Sequence, residues 1–503
     1  MTKMMYASFQ ENKLAKLVFP FLLSLDQGPI YLVGGSVRDA ILEIPSHDLD
    51  FIVTGDVFSI ARKLADFVHG AFYILDKERS YARVIFIDED GVRNYFDFAP
   101  VYQNDLETDL RSRDFSMNAI AWDIASPFDV FIDPCCGGSD LQKKILRPCS
   151  PSSFLDDPVR VIRSVRFAVG YGLGIPDEVK CWITDAKSGL ETISAERKRD
   201  ELFKILENHH TTLAMEMLRE LDLLPSLLPE AARLVEFTQN GPHIFDGWQH
   251  TLHAMNYCEA MVDHIEDNGH VGEFPEALQD VFRLIDDWKP GLESIFKTDF
   301  SGERSQRALF LFAALHHDIG KPMDNIVMVN GRKKYPHHAR LGAGAIENRA
   351  RLLALSRMEI QWLKRFIASH MLLHDVIITD DKVEQNRQLY QFFKHATQTS
   401  PLVALFSLAD LLATYGDAIP AERWQLGLTR CQLVLAGWFE QFDVLVEPQL
   451  FLNGDDLQIE FGMEPGRNMG SLIERMREAQ AAGVIHSKDE AQAWVKKTLD
   501  RKE

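Results

Sequence analysis

The chain lacks both a membrane-crossing apolar run and a secretion signal. No apolar run reaches the roughly 18 to 20 residues that a membrane helix needs. The longest candidate, Leu17 to Leu23, is short and is interrupted by Pro20, so we interpret it as a buried helix end. The N-terminus does not show the charged and then apolar layout of a secretion signal. These absences favour a cytoplasmic protein without a membrane partner.

Paired cysteines and an excess of positive charge are also missing. The six cysteines show no C-x-x-C spacing, and we interpret them as reduced thiols of a cytoplasmic protein. The formal net charge of −20 argues against broad, non-specific nucleic-acid binding, because a duplex binder usually carries a basic surface. DNA is therefore not an expected partner. A local basic groove that grips one short RNA end is compatible with the charge.

The patterning predicts a multidomain protein that begins with a small α+β domain and continues as all-α regions. A chain of 503 residues exceeds what one hydrophobic core usually supports. Residues 1 to about 25 are predicted as a leading helix, and residues 56–69 as a helix with Asp56 as its N-cap. After about residue 150 nearly everything is predicted helical. Five runs are predicted as strands: Ile30–Val33, Asp50–Val53, Ala71–Leu75, Arg83–Ile87 and Asn94–Phe98. The predicted domains are 1–145, 146–235, 236–420 and 421–503.

The first candidate site combines a glycine turn with two carboxylates. Gly34 and Gly35 follow a predicted strand, and Asp48 and Asp50 lie two residues apart on the next one. Side chains alternate across a strand, so both carboxylates face the same side. Mg²⁺ suits such a pair beside a triphosphate. A plain turn and two solvated aspartates are the alternative, but the order of the motifs favours metal-assisted nucleotidyl transfer.

A second cluster contains Arg113, Asp114 and Asn118. A guanidinium can bind phosphate oxygens, and a carboxylate or an amide can bind ribose hydroxyls. The alternative is a capped surface helix with a local ion pair, and on its own this cluster does not decide between the two.

A third cluster begins a predicted helix. Asp156 is predicted as the N-cap and Pro158 as part of the first turn, while Ile162 and Val165 are predicted to face a core.

Polar residues recur every three positions on that helix and form a stripe: Asp157, Arg160, Arg163 and Arg166. A carboxylate and a guanidinium one turn apart can present acceptors and donors to a base edge. Such a pair can choose a nucleotide without a template. The alternative is a surface salt bridge worth only about 0.3 to 0.5 kcal/mol.

Together the clusters resemble the class II tRNA nucleotidyltransferase and bacterial poly(A) polymerase family. The resemblance covers residues 30 to 205 and rests on five motifs: Gly34 to Asp50; Ser112 to Ala119; Asp133-Pro134 with Gly138, Asp140 and Leu141; Asp156 to Arg160; and Ser194 to Arg197. It implies a polymerase β-like nucleotidyltransferase head at 1–145 and a helical neck at 146–235. It also implies RNA binding and the addition of C and/or A, from CTP or ATP, to tRNA 3′ ends.

The resemblance also implies the chemistry. The RNA 3′-hydroxyl attacks the α-phosphate, with Mg²⁺ held by Asp48 and Asp50. Gly34, Gly35 and Arg38 cradle the triphosphate.

Two departures from the family pattern leave the added nucleotide open. Ser112 replaces an arginine, and the segment from Phe96 to Asp109 is short. CCA, CC, A and poly(A) addition therefore stay as alternatives. The run from Leu75 to Ile85 resembles members with partial activity more than fully CCA-adding ones.

The helical half carries a scattered histidine and aspartate set that suits a divalent transition metal such as Ni²⁺, Mn²⁺ or Fe²⁺. It resembles an HD-type phosphohydrolase domain at 236–420. The resemblance implies four core ligands: His250, His317, Asp318 and Asp410. His338 and His370 are implied as second-metal or substrate groups. Ala339 stands where the family often has a glutamate, so retention for packing or RNA support is an alternative. Residues 421–503 are predicted as a helical tail.

Three readings compete with tRNA 3′-end addition. One is a poly(A) polymerase, which the acidic charge and the lack of a basic tail disfavour. Another is a phosphohydrolase with a degenerate head, which the intact Asp48 and Asp50 pair disfavours. The third is a non-catalytic RNA-binding scaffold, which would need neither set of metal ligands.

Overall fold

The computed structural model describes residues 12–45, 48–89, 91–126, 130–269, 274–298, 300 and 304–500. The chain divides into two compact units, Met1–Ile193 and Ser194–Glu503. The four predicted domain ranges subdivide the chain more finely and stay predictions. The predicted leading helix is present as Lys13–Ser24, while its first eleven residues lie outside the described part of the chain.

The first unit is built on a mixed sheet of seven strands in the order β3-β4-β5-β2-β1-β6-β7. Neighbouring strands are antiparallel except β2 and β5, which are parallel. The strands are β1 Ile30–Val33, β2 Asp48–Val53, β3 Ala71–Asp76, β4 Tyr81–Ile87, β5 Arg93–Pro100, β6 Ala121–Asp123 and β7 Phe131–Ile132. All five predicted strands are confirmed. The short strands β6 and β7 were not predicted, because a run of two or three residues is too short to show the alternation of apolar and polar side chains that marks a strand.

The described part of the first unit also contains eight α-helices. They are α1 Lys13–Ser24, α2 Gly35–Ile41, α3 Val57–Val68, α4 Leu106–Ser112, α5 Gly137–Gln142, α6 Ser153–Asp156, α7 Val159–Gly170 and α8 Asp177–Ala186. The predicted cap of α3 is confirmed, because the Asp56 carboxylate accepts a hydrogen bond from the Ser59 amide.

The start of α7 differs from the prediction. Asp156 does not cap it; Asp156 is the last residue of the short α6, and its carboxylate accepts a hydrogen bond from Ser152. Pro158 occupies the N-cap position instead. The predicted core positions Ile162 and Val165 are fully buried. The register of the helix was therefore correct although its cap was wrong.

The second unit is predominantly helical. Its helices are α9 Ala195–Glu207, α10 Thr211–Glu220, α11 Leu224–Leu227, α12 Pro229–Ala232, α13 Gly247–Ile265, α14 Leu278–Asp286, α15 Lys289–Phe296, α16 Gln306–His316, α17 His338–Leu352, α18 Arg357–Ser369, α19 Lys382–Ala396, α20 Ser400–Tyr415, α21 Ala421–Glu440, α22 Gly454–Phe461, α23 Arg467–Ala481 and α24 Lys488–Asp500. The expectation of an almost wholly helical second half missed one small hairpin, β8 Val327–Val329 with β9 Arg332–Lys334.

One described helical segment, Lys382–Ala418, is long and apolar enough to cross a membrane by length and composition alone. Its most apolar window is 83% buried inside the protein, which is typical of a core helix. Residues 17–23, which were interpreted as a buried helix end, lie in α1, where Val18, Phe19 and Leu22 are buried.

Candidate active site and a second cluster of metal ligands

Asp48 and Asp50 lie on β2, which the adjacent α2 fixes in place. The Ser36 hydroxyl on α2 donates to the Asp48 carbonyl at 3.1 Å and accepts from the Asp50 amide at 2.9 Å. Asp48 is exposed and Asp50 is half-buried. Since the two residues are two apart on one strand, their carboxylates share a face.

A third carboxylate, Asp97, lies beside this pair. It is the register partner of Asp50 on the parallel strand β5. Arg83 binds it with two hydrogen bonds of 2.8 Å. Burial raises the pKa of Asp50 to about 6, the Asp97 carboxylate acts in the same direction, and Arg113 opposes both. The site thus concentrates negative charge, which fits a divalent cation.

The glycine turn approaches the carboxylates closely. Gly34 has φ +65°, in the left-handed region that favours glycine, and a Cβ there would lie 3.0 Å from Arg113 Nη1 and 3.6 Å from Asp50 Oδ2. A Cβ on Gly35 would lie 3.3 Å from Arg38 Nη2. Both glycines therefore leave room that a side chain would fill.

Four predicted nucleotide-binding residues form one connected polar network. Arg38 Nη1 donates to Asn118 Oδ1 at 2.6 Å, and Asn118 Nδ2 donates to Asp114 Oδ1 at 3.0 Å. Arg163 Nη2 lies 3.0 Å from Asp114 Oδ2. The three sequence clusters are therefore adjacent in the fold.

Arg38 is more buried than a triphosphate ligand needs to be. Its side chain is 8% exposed, its Nε donates to Asp39 at 2.8 Å, and its guanidinium lies 4.4 Å from the Tyr171 ring centroid. Because these contacts occupy the guanidinium, binding phosphate would require it to exchange partners. Its role as part of a phosphate cradle stays a prediction.

Arg113 and Arg160 both donate hydrogen bonds to backbone carbonyls at the ends of the segment between α4 and β6. Arg113 Nε lies 3.3 Å from Asp109 Oδ1, and its Nη1 donates to the Asn118 carbonyl at 3.3 Å. Arg160 Nη1 donates to the Ser153 hydroxyl at 2.8 Å, and its Nη2 donates to the Ser112 carbonyl at 3.1 Å.

Asp157 and Arg166 are the two remaining members of the polar stripe on α7. Asp157 is half-buried at the start of α7, three residues before Arg160. Arg166 is half-buried, and its guanidinium lies 4.3 Å from the Phe167 ring centroid. The predicted stripe is thus not one uniform surface, because Arg163 turns to Asp114 while Arg166 packs on an aromatic ring.

In the second unit, four predicted ligands converge from α13, from the C-terminal end of α16 and from α20. His250 Nε2 lies 3.0 Å from Asp410 Oδ1 and 3.3 Å from His317 Nε2. His317 Nε2 lies 3.2 Å from Asp318 Oδ2. All four residues are buried or nearly so.

His338 and His370 form a second set on the other side of Asp318. Their Nε2 atoms are 3.2 Å apart, and His338 Nε2 lies 3.6 Å from Asp318 Oδ1. The two oxygens of Asp318 therefore face two different groups of imidazole nitrogens. This arrangement fits two neighbouring cations with Asp318 between them, although Ala339 supplies no carboxylate.

The histidine tautomers suit metal binding. The Nδ1 atoms of His317, His338 and His370 lie 2.8, 2.6 and 2.7 Å from the backbone carbonyl three residues earlier. Since a carbonyl only accepts, each Nδ1 carries the proton and each Nε2 lone pair points into the cluster. Burial, together with the neighbouring imidazoles, lowers the pKa of His370 to about 3, which keeps that ring neutral.

A cavity of about 910 Å³ opens onto this cluster. Burial opposes ionisation of Asp318, but Lys321 and His317 outweigh it and hold the pKa of that carboxyl well below its ordinary value. Most of the charged residues in the lining are cationic, although the chain as a whole is acidic. The cationic residues are Lys321, Arg332, Lys333, Lys334, Arg423 and Arg430. The cavity therefore suits an anionic ligand.

Comparisons with known proteins agree with the first site. The family described as "Poly A polymerase head domain" matches residues 30–147, and "Probable RNA and SrmB- binding site of polymerase A" matches residues 172–234. The CC-adding tRNA nucleotidyltransferase of Geobacter sulfurreducens is 27% identical over 93% of this chain and 91% of its own length. These matches confirm the predicted resemblance to the tRNA nucleotidyltransferase and poly(A) polymerase family. The chain is a nucleotidyltransferase, as the sequence predicted.

Other tRNA nucleotidyltransferases are relatives at a similar distance from this chain. The A-adding tRNA nucleotidyltransferase of Deinococcus radiodurans is 28% identical over 93% of this chain and 94% of its own length. Among solved structures, a CCA-adding enzyme with ATP has a TM-score of 0.61 at 19% identity, covering 98% of both chains. The Thermotoga maritima CCA-adding enzyme complexed with tRNA has a TM-score of 0.55 at 20% identity, with the same coverage. These likenesses confirm the predicted fold class of a nucleotidyltransferase head followed by helical regions. The matched family ranges do not include the histidine cluster, so its HD-type assignment stays a prediction.

Proposed function

We propose that this nucleotidyltransferase adds C and/or A, from CTP or ATP, to tRNA 3′ ends in the cytoplasm. The observation that carries the proposal is the Asp48 and Asp50 pair next to the glycine turn and Arg113. A carboxylate pair beside a backbone that can approach phosphates is what phosphoryl transfer to a hydroxyl requires. The names of the relatives, which are CC-adding and A-adding tRNA enzymes, support the choice of substrate.

Each group of residues at the first site has its own proposed role in nucleotidyl transfer. Asp48 and Asp50 would hold Mg²⁺; the chemistry that the cation supplies when bound is activation of the attacking hydroxyl and neutralisation of the leaving pyrophosphate. Gly34 and Gly35 let the backbone approach the triphosphate, and Arg113, beside Gly34, offsets negative charge there. Asn118, Asp114 and Arg163 orient the ribose and base, and Arg38, which Asn118 contacts, remains the proposed ligand of the triphosphate.

Asp157 and Arg160 are proposed to select the base. They lie one turn apart at the start of α7, and Ser153 and the Ser112 carbonyl position Arg160. Acceptors and donors on one edge can distinguish C or A from the other bases. Relatives named as CC-adding and A-adding enzymes support a short product over a long tail. A poly(A) polymerase is the runner-up, and product length separates the two.

Incorporation into defined tRNA tests this proposal. The protein is incubated with tRNA transcripts ending before the CCA, after CC or after CCA, together with each labelled triphosphate and Mg²⁺. We expect one to three added residues, from CTP, ATP or both. No incorporation from any triphosphate would refute the proposal, and hundreds of added residues would favour the poly(A) polymerase.

A second activity is proposed for the HD-type cluster because six potential ligands converge there. We infer that His250, His317, Asp318 and Asp410, with His338 and His370, bind a transition metal such as Ni²⁺, Mn²⁺ or Fe²⁺ and support phosphoester hydrolysis. Lys321 would stabilise negative charge on the phosphate. Release of phosphate from 2′,3′-cyclic nucleotides should then require Ni²⁺ or Mn²⁺ and disappear in His317→Ala. A metal-independent release would refute it.

A further inference from the structure

The face of the sheet that carries the catalytic carboxylates continues far beyond them. Asp50 is the register partner of Asp97, Asp97 that of Arg83, and Arg83 that of Tyr73. Side chains at register partners in neighbouring strands point to the same face. These four side chains therefore form one row across β2, β5, β4 and β3, with the metal pair at one end and the sheet edge at the other.

Beyond Asp97 this face is open and largely aromatic or aliphatic. Tyr73 is 50% exposed, Tyr81 is 40% exposed and Ile87 is 58% exposed. Tyr95 is half-buried, and Arg83 lies 5.1 Å from its ring centroid. We define this surface, formed by Tyr73, Tyr81, Arg83, Ile85, Ile87 and Tyr95, as the outer sheet face.

The opposite face of β4 and β5 is closed. Ala82, Val84, Phe96 and Phe98 are 1% exposed or less, and β4 packs against α3. The exposed aromatic residues are therefore not a consequence of a loosely packed sheet. They belong to one side, and that side is continuous with the carboxylates.

The geometry of the reaction indicates from which side the RNA 3′ end reaches the catalytic carboxylates. In-line transfer places the attacking and leaving oxygens on opposite sides of the phosphorus. The glycine turn, Arg113 and Asn118 lie on the β1 and β6 side of Asp50, where the triphosphate is proposed to bind. The attacking 3′-hydroxyl must then arrive from the other side, across β5, β4 and β3.

We propose that the outer sheet face is a stacking platform for the single-stranded 3′ end of the RNA that is extended. The proposal rests on the proposed tRNA-extending function. At about 4.8 Å per strand, Tyr73 lies three strands, or about 14 Å, from Asp50, which matches about four stacked bases at 3.4 Å each. Stacking on aromatic rings is tolerant of base sequence, which suits an enzyme whose substrates differ near their ends. The Arg83 guanidinium lies beside the Tyr95 ring and is available for stacking with a base. Its positive charge is balanced by Asp97, which accepts two hydrogen bonds from it.

Steady-state kinetics with matched variants test the platform. Tyr73→Ala removes one ring, Tyr73→Phe keeps it, and Ile74→Ala changes a neighbour on the opposite side of the same edge strand that is 47% exposed. The probe is a tRNA transcript ending before the CCA or after CC, whichever the wild type extends, with 2-aminopurine at the unpaired nucleotide that precedes the CCA. Tyr73→Ala should raise the KM for this RNA about tenfold, with the KM for the triphosphate unchanged. Tyr73→Phe and Ile74→Ala should stay within about twofold of the wild type.

The fluorescence of the same probe gives a second readout. Stacking quenches 2-aminopurine, so wild type and Tyr73→Phe should quench it more than Tyr73→Ala does at saturating protein. Equal quenching and equal RNA KM in wild type and Tyr73→Ala would overturn the platform while leaving the proposed function intact. An equal loss in Ile74→Ala would also overturn it, because the effect would then come from the edge strand rather than from the ring. Wild-type protein that extends no RNA would overturn both proposals.

Discussion

Asp50 and Asp97 lie side by side on the parallel strands β2 and β5, and their carboxylates differ in how their charge is balanced. Arg83 binds Asp97 with two hydrogen bonds of 2.8 Å. Among the described residues, no arginine binds Asp50 through two hydrogen bonds; burial beside Asp97 raises the pKa of Asp50 to about 6, although Arg113 opposes the rise. Without a metal ion, the charged form of Asp50 is destabilised by its surroundings. A bound cation would therefore stabilise that charged form more than it would stabilise a solvent-exposed carboxylate.

This relationship predicts a pH-dependent gain in stability for metal-free Asp50→Asn. Burial raises the pKa of this carboxyl from its ordinary 3.8 to about 6 in the folded protein, so the folded state holds the proton more tightly than the unfolded state. Its contribution to stability is therefore lost as the pH rises from about 4 to 6, and the deficit persists above 6. Removing the charge should stabilise the protein at pH 8 by about 3 kcal/mol, and by less at pH 5.

Urea unfolding in EDTA at the two pH values measures this difference. Asp185→Asn, which replaces an exposed carboxylate on α8, serves as the control and should show no pH-dependent gain. Asp50→Asn that is equally stable relative to wild type at pH 5 and pH 8 would contradict the assignment.

Gly34→Ala should abolish most transfer, while Gly172→Ala should not. Both glycines have positive φ, +65° and +61°, so each substitution should cost about 1 kcal/mol of backbone strain. A Cβ at Gly34 meets Arg113 Nη1 at 3.0 Å, whereas nothing lies within 4 Å of one at Gly172. Thermal melting should show similar destabilisation, and only Gly34→Ala should lose activity. Parallel losses of activity in both variants would show that the close approach at Gly34 does not matter.

Asn118→Ala should weaken triphosphate binding and destabilise the first unit. The variant leaves the buried Arg38 guanidinium without its 2.6 Å acceptor and Asp114 without a 3.0 Å donor. An orphaned buried polar group costs about 1 to 3 kcal/mol. We expect a loss of about 2 kcal/mol in chemical unfolding and a higher KM for the triphosphate. The exposed Gln142→Ala on α5 is the control, and a triphosphate KM unchanged in Asn118→Ala would argue against the network's role.

His317→Ala should remove a bound transition metal that His316→Ala retains. Both imidazoles are buried and adjacent in sequence, but His316 Nδ1 donates to the Phe312 carbonyl and its ring packs on that phenylalanine. His317 Nε2 instead faces His250 and Asp318. Mass spectrometry of elements in protein dialysed against Ni²⁺ or Mn²⁺ measures the metal per chain. Equal metal content in the two variants would place the ligands elsewhere.

Much of the first site was predictable because its motifs are local. The glycine turn, the Asp48 and Asp50 alternation and the five strands follow from spacing within a few residues. Asp97 was missed although its strand was predicted, because its place beside Asp50 depends on the order of strands in the sheet. That order brings β5 next to β2 across more than 40 residues of chain.

Caps and networks were the less predictable features. Asp156 was expected to cap α7, but α6 ends there and Pro158 takes that position, because tertiary packing decided between two local options. The stripe on α7 was expected to act as one surface, yet Arg163 pairs with Asp114. In the second unit, the convergence of six ligands followed from the motifs, whereas the cationic hairpin β8–β9 at the cavity did not.

The most direct test of the account is nucleotide incorporation by Asp48→Ala and Asp50→Ala in parallel with wild type. Both variants are assayed with tRNA lacking its terminal nucleotides, CTP, ATP and Mg²⁺, after circular dichroism has shown that each is folded. The account predicts that wild type extends the RNA by one to three residues and that each variant falls to background. Near-normal extension by either variant would contradict the placement of the metal site.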